Sequence, residues 1–153
     1  MISVEEAKRL GIAAQFSEPY SGFVISTMST IEAGENVKAD MKLGDLIERN
    51  VELSDYSKEL DCLFFNFLVF PTGYKGVKRE ERKYHKRSEK KFFIDIKISD
   101  YEGFCKADER EALAILARET LRGAAKFLSK EKHFDHEKFL RDLEGVFRLE
   151  GIL

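Results

Sequence analysis

The sequence predicts an α+β fold with an antiparallel sheet of about four strands, helices packed mainly on one face, and a long pair of helices at the C-terminal end. Three observations lead to this prediction. The run Cys62–Phe70 contains one strongly polar residue, Asn66, as expected for a strand that is covered on both faces. Residues Phe92–Ile98 show the alternation of a second strand. From Asp108 onward, apolar residues recur at helical spacing.

The bulk composition is that of an ordinary globular protein. The 153 residues, 43% apolar and 35% charged, fit one globular domain over residues 1–153. The two cysteines, Cys62 and Cys105, are too few for a disulfide framework and indicate a reducing compartment. The first residues lack the pattern of a signal peptide, and no apolar run is long enough to cross a membrane. We therefore expect a soluble, cytoplasmic protein with no membrane partner.

In the N-terminal third, the pattern predicts a helix, a hairpin and a second short helix. A capping box precedes a helix at Val4–Leu10. Phe23–Ile31 is rich in β-branched residues and predicts a strand. Val37–Leu43 alternates apolar and charged residues, which predicts a half-buried strand paired with the first in a hairpin. Leu43–Asn50 is expected to form one or two helical turns capped by Asp45.

The remaining elements complete the predicted sheet and cover it. Cys62–Phe70 is expected at the centre of the sheet, antiparallel to Phe92–Ile98. Asp108–Ser129 has acidic residues in its first turn and a continuous apolar stripe, which predicts a long helix. Asp135 is expected to cap a last helix at His136–Arg148.

The segment between the two main strands, Lys75–Lys91, is the most basic part of the chain, and we call it the basic connector. It has nine cations and three anions, a balance of +6, which leaves −8 for the rest of a chain whose net charge is −2. Three interpretations remain open: a solvated, mobile loop without a partner, a contact surface for an acidic protein, and a nucleic-acid site in which aromatic side chains stack on bases. The candidate partner-binding residues are Lys75, Lys78, Arg79, Arg82, Lys83, Tyr84, Lys86 and Arg87.

The sequence has no motif that points to catalysis. Both glycine-rich phosphate-binding patterns are absent. His133 and His136 straddle the expected start of a helix, and no third ligand follows at motif spacing, so surface histidines are favoured over a metal site. Cys62 lies in an apolar run and Cys105 in an expected turn, and no nearby histidine is implied for either. We therefore expect no enzyme activity, no catalytic residue, no metal and no cofactor.

In size, in its order of strand, arm, strand and helix, and in its charge asymmetry, the chain resembles small bacterial immunity proteins. These are encoded beside polymorphic toxins or the toxins of contact-dependent growth inhibition. The resemblance covers Phe64–Phe70, the basic connector, Phe93–Ile96 and the helix that follows Asp108. It implies a non-enzymatic antitoxin that binds and neutralises a cognate toxin domain in the cytoplasm by protein–protein contact. The alternative is a nucleic-acid-binding module that uses the basic connector, although nucleic acid is the less favoured partner. A homodimer also remains open.

Overall fold

The computed structural model describes residues 22–29, 39–71, 82–84 and 90–153, with the backbone alone at 28–29 and 82–84. The predicted helix at Val4–Leu10 lies outside these residues. The strands and helices, in chain order, are β1 (Gly22–Ser29), α1 (Ala39–Asn50), a 3-10 turn (Leu53–Asp55), β2 (Cys62–Val69), β3 (Arg82–Tyr84), β4 (Lys91–Lys97), α2 (Tyr101–Lys106), α3 (Glu109–Leu128) and α4 (His136–Leu149).

The described sheet has the strand order β1-β2-β4-β3. Strands β1, β2 and β4 run parallel, and only the short edge strand β3 is antiparallel to its neighbour. The predicted antiparallel sheet is therefore wrong, and the fold is mixed α/β. Parallel neighbours need a crossover connection of about a dozen residues or more. Residues 70–90 are long enough for such a connection between β2 and β4, and residues 30–61, which include α1, lie between β1 and β2.

The predicted hairpin of Phe23–Ile31 with Val37–Leu43 is also wrong. Strand β1 pairs with β2, and the described part of the second segment belongs to helix α1. The buried side chains of this helix have helical spacing, and they include Ala39, Leu43 and Ile47. The short alternation that precedes Leu43 was therefore the start of a helical pattern. Asp45, the predicted cap, lies inside the helix and pairs with Arg49 at 3.1 Å.

The predictions of β1, β2, β4 and the two long helices as elements are confirmed, with small differences at their ends. Strand β2 lies between β1 and β4, and all of its residues are buried. The Asp108 side chain caps α3 by accepting a hydrogen bond from the Glu111 backbone N–H at 2.8 Å. Asp135 caps α4 in the same way, accepting from the Lys138 N–H at 3.2 Å. The short helix α2 was missed, and Cys105 lies on it.

The main core lies between one face of the sheet and the helices. Strand side chains such as Phe65 and Ile94 meet buried residues of α1, α3 and α4 there. Helix α3 approaches β4 closely at Gly123, where a Cβ atom would lie 2.5 Å from Ile96 Cδ1. A side chain at this position would therefore force the helix and the sheet apart or shift Ile96.

The opposite face of the sheet carries a smaller apolar cluster of Val24, Phe64 and Phe93. Phe64 and Phe93 pack with their ring centroids 5.3 Å apart. No residue of a described helix belongs to this cluster. The two faces of the sheet thus differ, since the described helices contribute to the large core only.

Candidate partner-binding surfaces

A row of polar side chains crosses the second face of the sheet at one register position. Ser26 pairs with Asn66, and Asn66 with Asp95, in neighbouring parallel strands. The Ser26 hydroxyl donates to Asn66 Oδ1 at 3.1 Å, and Asn66 Nδ2 donates to Asp95 Oδ1 at 3.4 Å. Asn66 and Asp95 are both buried, so these bonds replace water for two polar groups in the middle of a sheet. This explains the one polar residue in the apolar run of β2.

Among the described residues of the basic connector, Lys90 directly precedes β4, Lys91 begins it, and the other three form the short strand β3. Its register sets Arg82 opposite Asp95, Lys83 opposite Ile94 and Tyr84 opposite Phe93. Arg82 is therefore the residue of β3 that lies in line with the polar row Ser26, Asn66 and Asp95. The other candidate partner-binding residues lie outside the described residues: Lys75, Lys78, Arg79, Lys86 and Arg87.

The two cysteines occupy different environments. Cys62 is fully buried at the start of β2, and burial raises the pKa of its thiol to about 11. A thiol in that state is a poor nucleophile at neutral pH because the thiolate is the reactive form. Cys105 lies on α2, is partly exposed and packs against the main core.

The histidine pair stands at the entry to α4. His133 Nε2 lies 3.4 Å from Glu59 Oε1, while His136 is the first residue of the helix. Within the described residues, no group of three or more His, Cys, Asp or Glu side chains is arranged to hold a metal ion. The contact with Glu59 gives His133 a surface ion-pair partner when its ring is protonated.

One open cleft lies at the end of the sheet where β1 and β2 begin. It has a volume of about 420 Å³ and a floor of buried side chains that includes Phe23 and Leu60. Its charged lining residues are all acidic: Glu48, Glu52 and Asp61. The cleft can therefore accept a cationic group. Its carboxylates are exposed to solvent, so water and dissolved salt screen their attraction for that group.

A second cleft, which we call the α3–α4 cleft, lies where α3 begins and α4 ends. Its volume is about 490 Å³, and the lining includes Asp108, Glu109, Arg110, Leu113, Glu150 and Ile152. The Arg110 guanidinium donates to the Gly151 carbonyl oxygen at 3.5 Å, which ties the two walls together.

Two large apolar side chains are exposed among the described residues, Met41 at 70% and Leu149 at 90%. The sequence pattern predicts the exposure of neither side chain. The alternation predicts that Met41 shares a strand face with Leu43, whereas in the helix it lies on a different side from Leu43 and Ile47. Leu149 lies off the apolar stripe of the last helix. Its position outside that stripe is the one signal in the sequence that indicates an exposed side chain.

None of the described helices is long and apolar enough to cross a membrane. A comparison with protein-family models matches residues 11–148 to immunity protein 44. Searches of curated proteins and of solved structures find no match. The family match spans the sheet, the basic connector and nearly all of α4. The chain therefore belongs to the immunity protein 44 family.

Proposed function

We propose that this protein is an antitoxin that binds and neutralises a cognate bacterial toxin domain by protein–protein contact, without catalysis. The observation that carries the proposal is the match of residues 11–148 to the immunity protein 44 family. Burial and a raised pKa make the Cys62 thiol a poor nucleophile, so this residue gives no support to a catalytic role. The toxin is of the polymorphic or contact-dependent growth-inhibition kind, and neutralisation takes place in the cytoplasm.

The basic connector is the proposed contact surface. Its +6 charge stands against −8 in the rest of the chain, and it is the largest charge contrast in the sequence. An antitoxin must find its toxin before the toxin acts, and opposite charges raise association rates by steering the encounter. The toxin surface that meets the connector is therefore acidic. Strand β3, at the edge of the described sheet, supports the proposal because an edge strand can pair with an extended segment of a partner.

Growth rescue tests the function. The toxin domain encoded beside this gene is expressed from an inducible promoter, with and without the protein. We expect growth to be restored by co-expression, and the two purified proteins to form a complex. A toxin that still kills in the presence of well-expressed, folded protein, with no complex in a pull-down, would refute the antitoxin function.

Charge reversal tests the surface. The variant Lys78→Glu with Arg79→Glu is compared with a matched control, Lys130→Glu with Lys132→Glu, which reverses two exposed lysines outside the connector. We expect the first variant to slow association with the toxin about tenfold or more at low salt, and the control to change it little. Equal effects of the two variants would exclude the connector as the specific contact.

The nucleic-acid alternative makes a different prediction for the same segment. A phosphate-binding connector would shift DNA or RNA in a mobility assay at low salt, and this affinity would fall steeply as salt is raised. The antitoxin proposal expects no such shift and a complex with the toxin instead. A salt-dependent shift without toxin binding would favour the nucleic-acid module.

A further inference from the structure

The α3–α4 cleft combines features that single surface residues lack. It is concave, with Leu113 and Ile152 as apolar lining residues. Both of these residues pack against the main core, so the apolar lining is a continuation of the core. A concave apolar site is a usual form of a binding surface.

Both exposed apolar residues, Met41 and Leu149, are sequence neighbours of residues that contact or line this cleft. Lys42, in the first turn of α1, forms an ion pair with Glu109, a lining residue, and Met41 is its neighbour in the chain. Leu149 directly precedes Glu150, another lining residue. One exposed Leu or Met on a surface needs no explanation, whereas two in chain segments that border one cleft favour an interaction site.

The charge of the lining indicates what kind of partner it fits. Asp108, Glu109 and Glu150 are acidic, and Arg110 is the one basic residue among the lining residues. The Arg110 guanidinium donates to the neutral Gly151 carbonyl and keeps its charge, and Lys42 pairs with Glu109, so the lining residues and Lys42 together carry one net negative charge. An incoming group that is positively charged around an apolar centre would be complementary to this surface.

We propose that the α3–α4 cleft, bordered by the segments that carry Met41 and Leu149, is a second contact surface for the toxin, and that it takes an apolar toxin side chain surrounded by Lys or Arg. This inference rests on the proposed antitoxin function. Together with the basic connector it gives the antitoxin two surfaces of opposite charge. A toxin domain with matching acidic and basic regions would be held in one orientation, and domains of one charge sign would be rejected.

The test measures toxin affinity by calorimetry for the full chain and three variants. Leu149→Ser removes the exposed apolar contact, and Glu150→Lys reverses a lining charge. Glu52→Lys is the matched control, since it reverses an exposed acid in the other acidic cleft. We expect the first two variants to weaken binding about tenfold or more and the control to bind as the unmodified protein does. Circular dichroism and thermal unfolding establish that each variant is folded; Met41→Ser replaces Leu149→Ser if that variant does not fold.

The outcomes separate this inference from the proposed function. If the unmodified protein binds the toxin and the Leu149→Ser and Glu150→Lys variants bind equally well, the cleft inference is overturned while the antitoxin function stands. If the unmodified protein does not bind the toxin, both fail. Light scattering that shows a dimer, lost in Leu149→Ser with toxin affinity unchanged, would assign the cleft to a second copy of the chain and also overturn the inference.

Discussion

The Tyr56 hydroxyl donates a hydrogen bond to Asp142 Oδ2 at 2.9 Å, joining the residue after the 3-10 turn to the middle of α4. The Tyr56 ring packs against Phe139 with centroids 5.1 Å apart, and its backbone carbonyl accepts from the Asp135 N–H at 2.9 Å. Burial, followed by the hydrogen bond and the charge of Asp142, raises the pKa of Tyr56. Three kinds of contact from one residue therefore hold the last helix in place.

We predict that Tyr56→Phe lowers the free energy of unfolding by about 1.5 kcal/mol, because it removes one hydrogen bond to a charged acceptor and keeps the ring contacts. Urea unfolding measures the change. Asp142→Asn is the companion variant, since it keeps an acceptor oxygen and should cost less. If the double variant loses as much as the sum of the two single variants, the side chains are not coupled and the prediction is wrong.

The close approach of α3 to β4 predicts opposite effects for two glycines in helices. At Gly145 nothing lies within 4 Å of an added Cβ, so Gly145→Ala should stabilise the protein by about 0.5–1 kcal/mol through helix propensity. At Gly123 the Cβ would lie 2.5 Å from Ile96 Cδ1 and 3.1 Å from Cγ1. Gly123→Ala should therefore destabilise the protein by about 1 kcal/mol or more despite the same propensity gain.

Chemical unfolding of both variants checks these signs. The variant Gly123→Ala with Ile96→Val is the matched control, because Val lacks the Cδ1 atom that meets the new methyl group. We expect it to lose less stability than the two single substitutions do in sum. Stabilisation by Gly123→Ala alone would show that the helix and the sheet have room to separate.

How far the sequence predicts this fold depends on the range of the interactions involved. Strands β2 and β4 and helices α3 and α4 are strong local patterns, and all were predicted as elements with small differences at their ends. The sequence does not predict the direction of β4 relative to β2. Parallel and antiparallel pairing bury the same side chains, and only the path of residues 70–90 decides between them.

The same reasoning applies to the candidate surfaces. The basic connector is visible in the sequence because charge needs no tertiary structure to be counted. The exposure of Met41 depends on α1 being a helix, and the short alternation before Leu43 indicated a strand instead. Similarly, the α3–α4 cleft is formed by residues that are distant in sequence, such as Arg110 and Gly151, which no local pattern connects.

The buried carboxyl of Asp40 predicts a pH-dependent stability. It lies in the first turn of α1, and burial raises its pKa to about 6, while the hydrogen bond with the Met41 backbone opposes part of that rise. In the unfolded chain its pKa is about 3.9. The folded state therefore holds this proton more tightly, and the contribution to stability, complete below about pH 4, is lost as pH rises to about 6.

Asp40→Asn should remove this loss. At about pH 7.5 we expect the free energy of unfolding of the variant to exceed that of the unmodified protein by about 2 kcal/mol. This difference in stability should vanish toward pH 4. The control is Asp45→Asn, an exposed residue on the same helix, for which only a few tenths of a kcal/mol are expected at any pH. Thermal unfolding across this pH range gives the comparison, and a difference independent of pH would contradict the assignment.

The contrast between the two thiols predicts their order of reaction. Cys62 is buried with a pKa near 11, whereas Cys105 is partly exposed on α2. With a disulfide reagent at about pH 8, ionisation alone should slow Cys62 by about two orders of magnitude relative to a free cysteine, and burial slows it further. We expect one fast thiol in the folded protein, lost in Cys105→Ser, and a second that reacts only as the protein unfolds. A fast thiol that persists in Cys105→Ser would show that the start of β2 opens readily, and the rate of the slow thiol across urea concentrations measures the free energy of that opening.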